Sequence, residues 1–330
     1  MEEKSFKYDI IAVGECLIDF VSRKDDQGKR LVLEGNPGGA PANVLAMAAK
    51  LGLRTSFISK LGQDSFGDFL KDSIADAGVD TQNMIMTEKH PTTLAFVTLD
   101  STGNRSFAFY RNQTADVMLT EQEIDYDEIA KARVFHFGSV SMSAEPARTA
   151  TLQAAQYAHK QGVMVSYDPN LRELLWQSLR EAKEVMLQGM QYANVVKVSD
   201  EELVVLTGTQ DLEQGMRSLF EQYNLSLLAV TMGPKGCVCC CKAGVFSSKT
   251  FDVACVDTTG AGDAFWGACL YQILKNEKAL DQYTARDMKQ LMDFSNAAGS
   301  LTTTQKGAIP AMPTEEQIQD CIANTPRCEV

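Results

Sequence analysis

Residues 133–168 read RVFHFGSVSMSAEPARTATLQAAQYAHKQGVMVSYD. An apolar strand candidate (133–139) leads into a helix candidate (145–162), and a second strand candidate (163–168) follows at once. The same alternation runs to both sides. YDIIAVG (8–14) and TSFISKLG (55–62) precede this unit; NVVKVS (194–199) and SLLAVTMG (226–233) follow it. Helix candidates PANVLAMAAKLG (41–52) and DSFGDFLKDSIADAG (64–78) lie among them. In the second, Phe66, Phe69, Leu70, Ile74 and Ala77 recur at helical spacing, and Gly78 can cap the end. Strand–helix alternation of this kind predicts an α/β fold, a mostly parallel sheet with helices on both faces.

Two stretches break the pattern. Residues 15–35 look like strands with no helix between them. Residues 92–111, TTLAFVTLDSTGNRSFAFYR, read as a hairpin turning at STGN. Such strands cannot lie within a parallel sheet and are better placed as a small β lid beside it, formed by about 15–35 and 92–112. No repeat, low-complexity tract or Pro/Ser-rich linker divides the chain, so residues 1–330 are expected to form one domain carrying that lid.

Composition narrows the function classes. The 330 residues are 45% hydrophobic and 22% charged, ordinary for a globular chain. A net charge of −12 argues against a nucleic-acid partner, because such binders usually carry a basic stripe. A local cradle can still hold a small anion. The N-terminus MEEKSFKYDIIAVGE lacks the apolar core of a signal peptide, and no run approaches the roughly 18 apolar residues of a membrane span. Nine cysteines without an export signal read as reduced thiols in a cytoplasm. The cluster Cys237–Cys241 lacks zinc spacing and reads as a buried strand after a glycine turn.

The chemistry gathers in a few stretches. No Walker loop, dinucleotide fingerprint or metal-spaced histidine pair is present. In DTTGAGDAFWGA (257–268), threonines and glycines would start a helix whose first amides are unpaired. The N–H groups of Gly260, Ala261 and Gly262 can converge on a phosphate, aided by the helix dipole. Two roles are open to Asp263 on local grounds: a partner of the dipole, or a general base for an alcohol attacking phosphorus. GNPGGAPANVLAMAAKLG (35–52) lets a polar ligand meet the backbone near Asn43, though Asn and Gly are also plain turn residues. Asp19 follows the first strand, near the edge where ligands bind in open α/β sheets. It suits sugar hydroxyls, although an exposed acid in a lid strand is the commoner case. Ser199 and Glu202 form an S-x-x-E capping box.

Taken together, these stretches resemble the ribokinase-like (PfkB) carbohydrate kinases over nearly the whole chain. The likeness rests on GGAPANVLAMAAKLG with SKLGQDSFG near the N-terminus and on DTTGAGDAFWGACL near the C-terminus, in the family's order and separation. The resemblance implies a three-layer α/β/α core, a small β lid often used for dimer contacts, and phosphorylation of a sugar alcohol by ATP with Mg²⁺. It makes Asp263 the base and the Gly260–Gly262 amides the anion hole. Asp19, Gly38, Gly39, Asn43, Phe109 and Asp168 would form the sugar site. VTMGPKG matches the nucleotide loop, placing Thr231, Gly233 and Gly236 near ATP, with Lys197, Ser199, Glu202 and Asn296 as further nucleotide contacts. Glu202 would hold Mg²⁺ through water. Asp257, Thr259, Thr302, Gln305 and Gly307 resemble a monovalent-cation site that would take K⁺. The chain departs from the family in one place: Ser199 stands where an asparagine is common.

FYRNQTADVML (109–119) and DPNLRELLW (168–176) look like fructokinase members in particular. Arg111 would reach into the pocket from the lid, and Arg172 would follow a core strand. Two arginines facing one ligand also suit an acid sugar, so 2-keto-3-deoxygluconate is the alternative substrate. Both arginines could instead be satisfied by internal acids.

Overall fold

A computed structural model of the chain describes residues 6–24, 29–99, 105–276 and 278–329. In chain order the strands are β1 (Tyr8–Val13), β2 (Leu17–Lys24), β3 (Leu31–Gly38), β4 (Thr55–Gly62), β5 (Val79–Asp80), β6 (Met84–Thr87) and β7 (Leu94–Leu99). They continue with β8 (Arg105–Tyr110), β9 (Ala132–Gly138), β10 (Met164–Asp168), β11 (Val195–Ser199), β12 (Leu227–Thr231), β13 (Cys237–Cys241) and β14 (Gly244–Ser248). The helices are α1 (Ala40–Lys50), α2 (Ser65–Asp76), α3 (Tyr126–Ala130), α4 (Ala147–Lys160) and α5 (Leu179–Met190). After them come α6 (Asp200–Thr207), α7 (Leu212–Gln222), α8 (Ala261–Lys275), α9 (Ala285–Thr302) and α10 (Glu315–Asn324).

The six apolar runs at 8–14, 55–62, 133–139, 163–168, 194–199 and 226–233 all form strands of one large sheet. Its order is β14-β13-β12-β11-β10-β9-β1-β4-β5, with β6 also paired to β4. Every pairing from β12 through to β5 is parallel; only β13 and β14 run against their neighbours. The side chains of β1 divide between two cores, as a strand covered on both faces requires. Tyr8, Ile11 and Val13 pack with α4, α5, α6 and α7, whereas Ile10 and Ala12 pack with α1, α2, α8 and α9. The Cys237–Cys241 run is β13, buried as the apolar reading required.

The strands that interrupt the alternation form a separate sheet, ordered β3-β2-β7-β8. Leu17–Lys24 pairs antiparallel with Leu31–Gly38 and parallel with β7, and β7 turns back into β8. The strand β3 runs on to Gly38, past the expected limit at 35, because its last residues pair with Leu17 and Ile18. The STGN turn expected between β7 and β8 lies outside the described residues. Among the described residues no helix is long and apolar enough to cross a membrane.

Because β1 and β9 are neighbours although β4 follows β1 in the chain, the strand order reverses beside β1. Open sheets of this kind bind ligands outside the carboxyl ends at such a reversal. The segments leaving β1, β10 and β11 meet there, under the small sheet.

Candidate active site

A cavity of about 450 Å³ opens at the carboxyl ends of these strands. Asp263 lies in its wall, in the first turn of α8, and is 8% exposed. Its Oδ2 accepts a hydrogen bond from Asn43 Nδ2 at 2.7 Å, and its Oδ1 lies 3.5 Å from Asn170 Nδ2. Asn43 comes from the start of α1 and Asn170 from the loop after β10, so three segments fix one carboxylate. Burial pushes the Asp263 carboxyl above its ordinary range, while Lys197 and the Asn43 bond pull it back.

The helix start is shaped by Gly260. It has φ 75° and ψ 0°, in the left-handed region, and a Cβ there would stand 2.4 Å from Ala308 Cβ. Only glycine meets both conditions. The three amides expected to act together divide: Ala261 N–H turns back to Thr258 O at 3.3 Å. Gly260 and Gly262 line the cavity, and first-turn N–H groups have no intrahelical partner, so these two amides remain available to a ligand. Lys197 joins them, because its Nζ lies 3.1 Å from where a Gly262 Cβ would be. The ammonium is buried and bonded to Asp168 Oδ2 at 3.0 Å. Burial opposes its charge, but Asp168, Glu202 and Asp263 more than offset this and keep it protonated.

Among the residues expected at the sugar, Asp19, Gly39, Asn43, Phe109 and Arg172 line the cavity. Gly38 stands just behind: a Cβ there would lie 2.3 Å from Asp19 Oδ2, so the glycine makes room for the carboxylate. Burial lifts Asp19 to about 6, against the pull of Arg172. Two expectations are corrected. Asp168 does not line the cavity; its 2% exposed carboxylate is the buried counter-ion of Lys197. Arg111 does not reach in from the small sheet. Its Nε bonds Asp116 Oδ2 and its Nη1 bonds Ser143 Oγ, each at 2.7 Å, an internal pairing.

The expected nucleotide contacts lie along the sheet edge beside Lys197, outside the cavity lining. Ser199 pairs with Thr231 in register, Thr231 with Cys237, and Cys237 with Ser248. Ser248 O then accepts from Asn296 Nδ2 at 3.1 Å. Gly233 begins and Gly236 closes the tight turn between β12 and β13. The capping box is formed: Ser199 Oγ accepts from Glu202 N–H, and Glu202 Oε2 accepts from Ser199 N–H. Glu202 Oε1 accepts the Leu171 N–H at 2.6 Å, tying α6 to the loop after β10.

Asp257, Thr259 and Gly307 also line the cavity, and Asp257 holds them together. Its Oδ1 accepts from Thr259, and its Oδ2 accepts the Gly307 N–H at 3.0 Å. Thr302 is buried at the end of α9 and Gln305 is exposed. Among the described residues no three His, Cys, Asp or Glu side chains converge as a metal cage. Mg²⁺ bound with a nucleotide keeps several waters and needs only one or two carboxylates. Glu202 fits that demand through water: its two oxygens accept the Leu171 and Ser199 N–H groups and each keeps a lone pair for a bound water.

Two cavity residues escaped the sequence reading. Asn170 bridges Asp263 to Arg172, whose Nη1 donates to Asn170 Oδ1 at 2.5 Å. Glu15, in the turn between β1 and β2, is 3% exposed and binds the first amide of α1. Their only signal was adjacency to strand ends.

Comparison with known proteins agrees with this geometry. Residues 7–315 match the model of the pfkB family of carbohydrate kinases. Probable fructokinase-4 of Arabidopsis thaliana is 44% identical over 319 residues, covering 95% of this chain and 96% of that protein. The crystal structure of fructokinase with bound ATP from Xylella fastidiosa superposes with a TM-score of 0.88 at 33% identity, covering 96% and 98% of the two chains. A fructokinase double mutant of Vibrio cholerae O395, bound to fructose, ADP and potassium ion, gives 0.84 at 31% identity over 96% and 99%. The strand order and the separate small sheet thus have one explanation: the chain belongs to the pfkB family of carbohydrate kinases.

Proposed function

We propose that this protein transfers the γ-phosphoryl group of ATP to the 6-hydroxyl of D-fructose. The observation that carries the reading is the buried Asp263 carboxylate, in the cavity wall beside Gly260, Gly262 and the ammonium of Lys197. The fructokinases among its relatives support fructose as the sugar.

The sugar fills the cavity with its attacking hydroxyl at Asp263. That carboxylate accepts the hydroxyl proton as the oxygen bonds to the γ-phosphorus and the bond from phosphorus to the β–γ bridging oxygen breaks, releasing ADP. A carboxyl lifted by burial is a stronger base than an exposed one. The two amides and Lys197 meet the charge on the transferring group. Asp19 and Asn43 hold hydroxyls, and the small sheet excludes water. Glu202 would hold Mg²⁺ through water beside ATP, where the ion would supply positive charge against the phosphates. K⁺ at the loops cross-linked by Asp257 would steady the helix start without touching the sugar. The nucleotide lies along the edge from Ser199 and Thr231 to Asn296.

Nine free cysteines suit a cytoplasmic enzyme. Leu31, Leu33 and Tyr110 expose apolar surface on the small sheet, which suits a homodimer formed there. A coupled ADP-release assay tests the reaction. Fructose with ATP is expected to give the highest kcat/KM among fructose, ribose, 2-keto-3-deoxygluconate, tagatose 6-phosphate and adenosine. Substantial turnover of the keto acid alone would overturn the sugar assignment and leave the kinase standing.

A further inference from the structure

Glu15 takes no part in the scheme above, although it lines the cavity and is almost fully buried. Its Oε1 accepts the Ala40 N–H at 2.9 Å, while Oε2 is buried with no hydrogen-bond partner. Arg111, whose charge acts on Glu15, is in a matching condition. Asp116 and Ser143 hold its Nε and Nη1, and Nη2 is left buried without a partner. Buried polar atoms are nearly always paired, so unpaired ones in a cavity wall point to a ligand. Of the two, only Glu15 lines the cavity, and its carboxylate oxygen can accept from a ligand hydroxyl.

The position is as informative as the chemistry. Ala40 precedes Asn43 on α1 by three residues, about 4.5 Å along the helix. Asn43 binds Asp263, so Glu15 stands toward the other end of a sugar whose reacting hydroxyl is at Asp263. For a ketose reacting at C6, that end carries C1. There the Arg111 charge is answered by Asp116, and Glu15 adds a further acid. A sugar carboxylate placed there would meet the Glu15 carboxylate, and Arg111, paired with Asp116, lies outside the cavity lining.

We propose that Glu15 sets the sugar class: it accepts a hydrogen bond from the C1 hydroxyl of a neutral ketose and repels sugars that carry a carboxylate at that position. The inference rests on the fructose reading and deepens it.

The test compares the full-length wild type with Glu15→Gln, which keeps an oxygen for the Ala40 N–H. With MgATP at pH 8.5, above the value of about 7 to which burial lifts Glu15, kcat/KM is measured on D-fructose, 1-deoxy-D-fructose and 2-keto-3-deoxygluconate. In the variant, fructose should lose about 10-fold through KM, as expected for a hydrogen bond to a charged acceptor. The keto acid should gain, so that the fructose-to-keto-acid ratio narrows by roughly 50-fold or more. The wild type should lose about 10-fold on 1-deoxy-D-fructose, and that measurement stands whether or not the variant folds. An unchanged ratio, equal losses on both sugars, or indifference of the wild type to the C1 hydroxyl would overturn the role of Glu15 while leaving fructose as substrate. A wild type that does not favour fructose over the keto acid overturns both readings.

Discussion

At Asp263 the two local readings part on a question of partners. A residue that only complements a helix dipole needs no third contact and stays solvated. Asp263 instead is buried, takes a 2.7 Å bond from Asn43, and stands near a lysine that has its own carboxylate in Asp168. Neutralising it tests the base. In Asp263→Asn the new amide oxygen can still accept from Asn43, so the sugar site keeps its shape. General-base loss lowers kcat by about 10³-fold, within the range of such groups, and KM for fructose changes little. Rapid-quench or coupled assays read both constants. A variant with near-normal turnover would exclude Asp263 as the base. At this scale the sequence was half legible. Asp263, Asp19 and Asn43 each had a plain structural use on local grounds, and only the family resemblance, carried by two motifs taken together, singled them out. The fate of Arg111 could not be read, because its partners Asp116 and Ser143 are brought to it by the fold and not by local pattern. Glu15 was hidden for the same reason: one acid in an ordinary turn gains meaning only when α1 arrives at its carboxylate.

The helix α8 must present Asp263 at a fixed height above the sheet, and one buried strut sets that height. Trp266, three residues along on the same side of the helix, donates from Nε1 to Ser166 Oγ at 2.9 Å. The same Oγ lies 2.9 Å from His136 Nδ1. The serine oxygen takes the indole N–H and shares a second hydrogen bond with the imidazole, which burial keeps neutral by pushing its pKa down to about 3. The strut thus joins α8 to β10 and β9. Ser166→Ala strands the indole N–H and the imidazole nitrogen, and unfolding stability should fall by about 2 kcal/mol or more. Because the strut carries the base and not the sugar ligands, kcat should fall further than KM rises. Urea denaturation with steady-state kinetics checks this; unchanged stability and kcat would remove the strut from the account. Elements of this kind were readable as helix and strands, since apolar runs and 3.6-residue spacing are local. Which strand lies beside which was less so. The parallel pairing of β2 with β7 joins segments far apart in the chain, and neither pattern names its partner.

For the molecule as a whole, acids gathered at the carboxyl edge make an active site that opposes its own fold. Burial lifts Glu15 to about 7 and Asp19 to about 6, and it raises Asp168 as well. A carboxyl raised on folding costs nothing while it is protonated in both states. Its contribution is therefore full below the ordinary value and is lost as pH climbs through the raised one. For Asp19 that window runs from 3.8 to about 6. Other groups pull the opposite way over neighbouring ranges. Buried His136 loses stability as pH falls below 6.5, and Glu128, held down to about 2, does so only in stronger acid. Total stability against pH therefore mixes the signs, whereas the difference between wild type and one variant isolates a single group. Asp19→Asn removes the penalty of charging a buried acid. The ligand-free variant should be more stable than wild type by roughly 2–3 kcal/mol at pH 8, with the gain fading toward pH 4. It should also bind fructose poorly, the usual exchange of function for stability at such a residue. Urea melts of both proteins at several pH values, beside fructose titrations at pH 8, decide the matter. A gain that is absent at pH 8, or equal at every pH, would mean that the Asp19 carboxylate is not held in the cavity against its own charge.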